Sequence, residues 1–331
     1  MKRSLKKVRA LGLCSGGLDS MLAGLVLQRQ GIEVEWVAFE TPFFSSQKAV
    51  NASELCKIPL TIKRIMPEYI RMLKNPPAGY GKHMNPCMDC HALMFRIAGE
   101  LMQKRGFDFL FSGEVLGQRP MSQVRPSLRY VEKHSGFDGL IVRPLSAKRL
   151  PETIPEKEGW IDRNLLFGFA GRSRKPQIAL AKELGLHDYP APAGGCLLTD
   201  KGYSVRLKDL FAHQETCLKN EFQLLKFGRH LRLAPDLKII VGRTRKDNDS
   251  ILKYHNPKTD IVINMTEYPG PVLLVPGGCD EKKVRLAAGI CAGYSKAPRH
   301  TLLDFLVVTP AGSYRIQADA VDPQEYKKFL L

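Results

Sequence analysis

The chain has 331 residues, of which 44% are apolar and 25% charged, and its 50 Lys+Arg against 33 Asp+Glu leave a net charge of +17. Such a chain predicts two globular domains and excludes disordered and fibrous classes, while the cationic excess suits a polyanion such as nucleic acid or an anionic membrane surface. No apolar run is long enough to cross a membrane, since even the stretch 22–26 is bounded closely by Asp19 and Arg29.

In chain order, residues 1–7 are a basic lead-in that imitates a signal peptide. Arg9 interrupts the apolar stretch, however, and Leu13 is a poor cleavage residue. Residues 7–13 predict a strand and 18–30 a helix ending before Gly31. Strands follow at 33–39 and 60–65, with a helix at 46–56 between them. After a polar stretch at 75–84, residues 87–104 predict a long helix with Leu93, Met94, Ile97, Ala98, Leu101 and Met102 on one face. Strands at 107–111 and 140–143 and a helix at 175–184 complete the alternation. The expectation is an α/β domain, a doubly wound parallel sheet, over residues 1–200. Residues 201–230 predict a connecting segment with helical content. Residues 231–331 predict a smaller α+β domain, with strands at 237–241, 260–264, 272–275 and 302–308 and a helix at 281–292. Residues 226–331 hold 17 Lys+Arg against 11 Asp+Glu, so both halves of the chain are basic and a polyanion is expected to touch both.

Ser15-Gly16-Gly17-Leu18-Asp19-Ser20 lies between the first strand and the first helix. Free N–H groups of a helix N-terminus and a glycine turn form an anion cradle there. Ser15 and Ser20 can add hydroxyl donors. Asp19 would repel phosphate, so it is expected to order the loop or meet Mg²⁺. No Gly-Lys-Ser/Thr follows at the spacing of a Walker loop. These residues resemble the Ser-Gly-Gly-x-Asp-Ser loop of the PP-loop ATPase superfamily, whose fold is of the adenine nucleotide alpha-hydrolase type. The resemblance implies cleavage of ATP between the α and β phosphates, adenylation of a carbonyl oxygen, and adenine contact near Phe39–Thr41. It leaves the nucleophile open among ammonia, amines and sulfur donors.

Eight cysteines are too few for a disulfide scaffold. With no export signal they are expected reduced, in the cytoplasm, and available for metal or sulfur chemistry. Asn85-Pro86-Cys87-Met88-Asp89-Cys90-His91 opens the long helix, with Asn85 expected as N-cap and Pro86 at the first helical position. Cys87 and Cys90 then share a face, where the helix N-terminus favours thiolates. A third cysteine follows two glycines in Ala193-Gly194-Gly195-Cys196. Cys87-x-x-Cys90-His91 is also the c-type haem pattern, but that needs export. Three readings stay open: a zinc site on Cys87, Cys90, Cys196 and either His83 or His91; a metal-free persulfide pair of Cys196 and one CxxC thiol; and, on a PP-loop chain, a three-cysteine [4Fe-4S] cluster with one iron open to sulfide. Cys14, Cys56, Cys217, Cys279 and Cys291 are expected to be structural.

Cys-Met-Asp-Cys-His-Ala-Leu-Met-Phe-Arg-Ile-Ala from Cys87, Ser112-Gly113-Glu114-Val115-Leu116-Gly117-Gln118 with Ser122-Gln123, and Arg143-Pro144-Leu145 together resemble tRNA 4-thiouridine synthetases over about residues 8–145. The Asn-Pro-Cys form is also similar to the 2-thiouridylase branch. Gly113 ends a strand at the carboxyl edge of the sheet, making Glu114 and Gln118 candidates at the ATP or uridine. The resemblance implies ATP-dependent thiolation of a tRNA uridine, with Asp19, Glu114, Cys87, Cys90 and Cys196 as catalytic residues. Ser15, Gly16, Gly17, Asp19, Ser20, Phe39, Gly113 and Gln118 are the expected nucleotide contacts. The N-terminal RNA-binding domain of those synthetases and the sulfur-accepting C-terminal domain of many are not apparent. That favours a cluster binding sulfide directly over a carrier domain.

Val241-Gly242-Arg243, Asn248-Asp249 and Tyr268-Pro269-Gly270 resemble the NFACT-R domain over about residues 237–311, which implies RNA binding. Arg243, Arg245 and Lys246, with little opposing charge, are candidate phosphate contacts, as are Lys282 and Lys283 beside Arg285. The expected cofactors are ATP, Mg²⁺ and a [4Fe-4S] cluster. The expected partners are tRNA, a sulfur donor (sulfide or a cysteine desulfurase persulfide) and, as the fold allows, a second copy of the chain. Two other classes remain: an amine-using PP-loop ligase of the lysidine-synthetase kind, and a non-catalytic RNA-binding quality-control factor.

Overall fold

The computed structural model describes residues 7–191, 195–298 and 301–331. The basic lead-in, apart from Lys7, and Ala193 and Gly194 of the third-cysteine motif lie outside the described residues. The chain divides into two compact units, Met1–Thr199 and Asp200–Leu331.

The first unit runs β1 (Arg9–Leu13), α1 (Leu18–Arg29), β2 (Glu33–Glu40), α2 (Gln47–Cys56), β3 (Leu60–Arg64), α3 (Met66–Lys74), α4 (Cys87–Arg105), β4 (Phe109–Ser112), α5 (Arg125–Ser135), β5 (Ile141–Val142), the short α6 (Ile154–Lys157) and α7 (Lys175–Glu183). Among the described residues its five strands form one sheet in the order β3-β2-β1-β4-β5, and every pairing is parallel. The α/β doubly wound expectation therefore holds. Strand order reverses between β1 and β4, and the right-handed crossover rule puts the helices of the two halves on opposite faces. Consistently, α1 packs with α2 and α7, whereas α4 packs with α3 and α5. Leu11, Trp36, Phe109 and Phe111 are fully buried, as parallel strands covered on both faces must be.

The second unit runs α8 (Lys201–His213), α9 (Lys219–Leu224), β6 (Arg229–Ala234), β7 (Leu237–Val241), α10 (Arg245–Tyr254), β8 (Ile261–Met265), β9 (Leu273–Val275), α11 (Glu281–Gly293), β10 (Leu302–Thr309) and β11 (Gly312–Asp319). Its antiparallel sheet has the order β11-β10-β8-β9-β7-β6 among the described residues. Central strands feed two cores by strict alternation. Ile239, Ile263 and Leu273 join Val284, Ala287 and Ile290 of α11, while Ile240, Val262 and Leu274 join Leu224, Ile251 and Val272. The residues expected to be a connecting segment are thus α8, α9 and the chain leading to β6 within this unit, and α9 packs on α10.

Four helices (α3, α5, α6, α10) and two strands (β6, β11) went unread in the sequence. In α5 the buried apolar residues are Leu128 and Val131, and in α10 Ile251, so both helices are largely polar and carry few apolar residues to mark them in the sequence. Strand β11 alternates only at Ile316 and Ala318. No helix among the described residues is long and apolar enough to cross a membrane.

Candidate active site

Strand β1 delivers the chain into the glycine loop at the point where strand order reverses. Gly16 adopts φ +72°, and a Cβ there would stand 2.1 Å from the Lys48 carbonyl carbon, so only glycine fits between the loop and α2. The Ser20 hydroxyl donates to the Gly17 carbonyl at 2.8 Å, and the Gly17 N–H reaches Ser15 Oγ at 3.4 Å. No side chain caps α1, which leaves its first-turn N–H groups to an anion.

Asp19 in that first turn is held from the far side. Its Oδ2 accepts from Gln118 Nε2 at 2.6 Å, and Gln118 Oε1 accepts from Gln177 Nε2 at 2.7 Å. Burial raises its pKa, against the Gln118 hydrogen bond and the charges of Arg174 and Arg119. Its Oδ1 is buried without a partner, an acceptor that suits a cation such as Mg²⁺. Gln118 thus bears on Asp19. Gly113 does likewise: a Cβ there would lie 2.3 Å from the Asp19 carbonyl carbon, so its role is to let β4 close on α1. Phe39 is buried (6% exposed) near the carboxyl end of β2.

The cysteines form the other side of the site. Helix α4 begins at Cys87 with Pro86 as N-cap and no side-chain cap, so Asn85 does not cap it as the sequence suggested. Asn85 instead gives its carbonyl to the Gly81 N–H at 2.9 Å. Asp89, buried in the first turn, accepts from the Ala78 N–H at 2.9 Å and the Tyr130 hydroxyl at 2.7 Å, which anchors the helix start. Cys196 is anchored nearby through Leu198, whose carbonyl accepts from the Met84 N–H at 3.2 Å.

One helical turn separates Cys87 from His91, and the two side chains hydrogen-bond. His91 Nδ1 lies 2.9 Å from Glu114 Oε1, and Glu114 Oε2 accepts from Arg143 Nε at 2.9 Å and Ser112 Oγ at 3.1 Å. Arg143 also pairs with Glu132. Burial alone would raise the Glu114 pKa, but Arg143 and His91 hold it down at about 2. His91 is carried up to about 10 despite its burial by Cys87 and Glu114. Burial likewise works against the Cys87 thiolate, yet His91, Ser122 and Arg119 bring its pKa below the usual thiol value. Its neighbours differ: burial pushes Cys90 up to about 12 and raises Cys196. All three sulfurs act on the buried Tyr69 hydroxyl, which hydrogen-bonds Cys90.

The three cysteines named from sequence therefore do come together, and Glu114 joins them through His91. Their soft donor set suits an iron–sulfur cluster, which spans more space than one ion. Among the described residues no three His, Cys, Asp or Glu side chains close on a single-ion site. His91 entered the sequence reading only as an alternative zinc ligand and in the excluded haem pattern. Tyr69, Arg119, Arg174 and Gln177 were missed and Arg143 had no role. The spacing of four between Cys87 and His91 was the available signal.

In the second unit Arg243 is not short of opposing charge, because its Nε pairs with Asp247 at 2.8 Å. Lys283 pairs with Asp236 at 2.5 Å and Asp280 at 3.2 Å. Arg245, Lys246 and Lys282 are exposed and form no ion pair among the described residues. The motif residues around them hold the fold. The Gly242 N–H donates to the Val272 carbonyl at 3.0 Å, and Asn248 Oδ1 accepts from the Val272 N–H at 3.1 Å.

Residues 6–149 match the family model of the Thiamine biosynthesis protein (ThiI). Residues 228–330 match that of the NFACT protein RNA binding domain. A probable tRNA sulfurtransferase of Lacticaseibacillus casei is 30% identical over 159 residues, 45% of this chain and 37% of that protein. One of Listeria innocua is 33% identical over 165 residues, 44% of this chain and 36% of that protein. The chain thus spans little more than a third of the length of these relatives. A solved structure described as a predicted subunit of tRNA methyltransferase from Methanocaldococcus jannaschii aligns at a TM-score of 0.37 and 14% identity, over 62% of this chain and 87% of that one, too slight a likeness to carry an argument.

Proposed function

We propose, from the premise that this chain joins a ThiI domain to an NFACT-R RNA-binding domain, that it is an ATP-dependent tRNA thiouridine synthase. The observation that carries this reading is one short loop with a hand on both halves of the site. Gln118 donates to Asp19 beside the phosphate loop, and four residues later Ser122 hydrogen-bonds Cys87. An amine ligase has no use for a thiolate there, and a vestigial nucleotide loop has no use for a partnerless Asp19 Oδ1.

The α1 N-terminus and the residue 15–20 loop bind the ATP phosphates. Asp19 would hold Mg²⁺, which when bound would supply charge neutralisation of the pyrophosphate. The uridine carbonyl oxygen attacks the α-phosphorus, the bond to the β-phosphate oxygen breaks, and pyrophosphate leaves. Adenylation is needed because a carbonyl oxygen leaves poorly and AMP leaves well. Sulfur then bonds to the activated carbon and AMP carries the oxygen away. Cys87, Cys90 and Cys196 would hold a [4Fe-4S] cluster, whose open iron supplies a site for sulfide. His91, fixed by Glu114, steadies the Cys87 thiolate. The motif similarity favours C4 of the base, giving 4-thiouridine.

The His91 contact also favours a second, metal-free reading, in which Cys87 accepts a persulfide from a desulfurase. Its terminal sulfur attacks the adenylated carbon, and Cys90 or Cys196 then attacks the Cys87 sulfur. That releases the thiouridine and leaves a disulfide for a thiol reductant to reduce. The deciding experiment incubates anaerobically purified, iron–sulfide-reconstituted protein with ATP, Mg²⁺, sulfide and unmodified tRNA, then reads nucleosides by mass spectrometry. A thiouridine that disappears without ATP is expected. No thionucleoside with either sulfide or a desulfurase-generated persulfide would overturn the reading.

A further inference from the structure

The ThiI unit carries a second concentration of charge, which starts at Arg119 of the site and runs on outside it. Arg119, Arg125, Lys148, Arg149, Arg172 and Lys175 are all exposed, and none forms an ion pair among the described residues. Three stretches of chain bring them together. Leu116 bridges Ala170, and the Gly171 N–H donates to the Leu116 carbonyl at 2.7 Å. The Arg125 guanidinium donates to the Arg149 carbonyl at 2.9 Å, and the Lys148 N–H to the Phe167 carbonyl at 3.0 Å. The carboxylates nearby are engaged elsewhere: Glu152 and Glu156 with Arg163, and Glu183 with Arg29. Six cations without an ion-pair partner on one rim raise the local positive potential, which draws a polyanion to it.

The rim also has a direction. At one end Arg119 directly follows Gln118, whose Nε2 donates to Asp19 at 2.6 Å, and its carbonyl accepts from the Gln123 N–H at 3.0 Å, so it stands at the mouth of the phosphate loop. A base delivered between the phosphate loop and the thiols brings its own backbone phosphate to that position. We infer that this rim is an RNA-backbone track on the ThiI unit, with Arg119 holding the phosphate of the reacting nucleotide and the other five holding the phosphates beyond it. The inference rests on the tRNA-thiolation reading and gives the catalytic unit its own grip, additional to the NFACT-R domain. A phosphate ladder accounts for cations spaced along a rim, since each needs only a point contact.

The test measures binding of the full chain to an unmodified tRNA transcript between 50 and 300 mM KCl, for the wild type and for Arg172→Gln/Lys175→Gln. Neither side chain makes a hydrogen bond among the described residues, so folding should be unaffected, and ATP affinity is measured alongside. Two lost phosphate contacts should weaken tRNA binding about tenfold at 0.1 M salt and reduce the salt-dependence slope by about 2, with ATP binding unchanged. Arg149→Gln should add a further reduction of about 1 in slope. Unchanged affinity and slope in a variant, beside a wild type that binds tRNA, would overturn the track while leaving the thiolation reading intact. Variants that lose binding to phosphatidylserine vesicles yet keep tRNA would overturn it in favour of a membrane contact. A wild type that binds no tRNA would remove both readings.

Discussion

Replacing Glu114 with Gln alters the site's electrostatics while leaving its volume in place. The carboxylate is nearly inaccessible, with a side chain 7% exposed, and it takes hydrogen bonds from His91, Arg143 and Ser112. Its pKa falls from the ordinary 4.5 to about 2, and at 1.36 kcal/mol per unit the ionised form is favoured by about 3 kcal/mol in the folded state. Removing one partner of a buried pair costs about 3–5 kcal/mol by a separate route, so the two figures agree. The His91 shift contains the same contact and is not added again. A depressed carboxylate contributes stability above the unfolded value near 4.5, and that contribution drains away as pH falls toward about 2. Denaturant unfolding of Glu114→Gln at pH 7 should therefore show a loss of about 3 kcal/mol, and its stability should depend less on acid between those pH values than that of the wild type. Cys87 supplies an independent readout. Without the Glu114 charge His91 loses its hold on the proton and the thiolate loses its partner, so the pH midpoint of Cys87 alkylation should move alkaline by about one unit or more. Wild-type stability together with an unmoved Cys87 midpoint, resolved by peptide mass spectrometry, would refute the relay.

Gly113→Ala should displace the start of α1, because its Cβ would meet the Asp19 backbone at 2.3 Å. Expected are about 1–3 kcal/mol of destabilisation and on the order of a hundredfold loss in pyrophosphate release, measured by melting and by a coupled pyrophosphate assay. Cys196→Ser should abolish thionucleoside formation and leave tRNA-dependent pyrophosphate release, since Asp19 and its relay are untouched. Gln177→Ala should free Gln118 and raise the Mg²⁺ needed for half-maximal pyrophosphate release several-fold. In the second unit Asp209 accepts from Arg232 and Lys238 and has a pKa of about 2. Asp209→Asn should cost about 3–5 kcal/mol in denaturant unfolding of that unit.

Much of the first unit was legible because parallel strands covered on both faces are written as apolar runs, and because the residue 15–20 loop must sit between a strand and a helix. The three cysteines could be grouped on chemistry alone. The partners that differentiate them could not. Tyr69 lies on α3, a helix the sequence reading left unassigned, and Gln177 is one buried amide in an otherwise exposed first turn. Their roles depend on which turn faces which strand, and no local pattern encodes that. The ion pair of Arg243 in the second unit was missed for a related reason. Asp247 pairs with Arg243 because α10 begins between them, and α10 has too few apolar residues to announce itself.

The interlock among Gly242, Asn248 and Val272 bears on what a signature can report. Glycine and asparagine there are spent on keeping loops in register, and their backbone and amide groups are already occupied by the protein. Selection for a stable scaffold would preserve them whatever anion the surface meets. Neighbouring cations such as Arg245, Lys246 and Lys282 are under no such obligation and can drift with the ligand. A chain can therefore keep this domain's hallmark while changing which anion it holds, and the identity of that ligand would be recorded outside the residues that carry the hallmark.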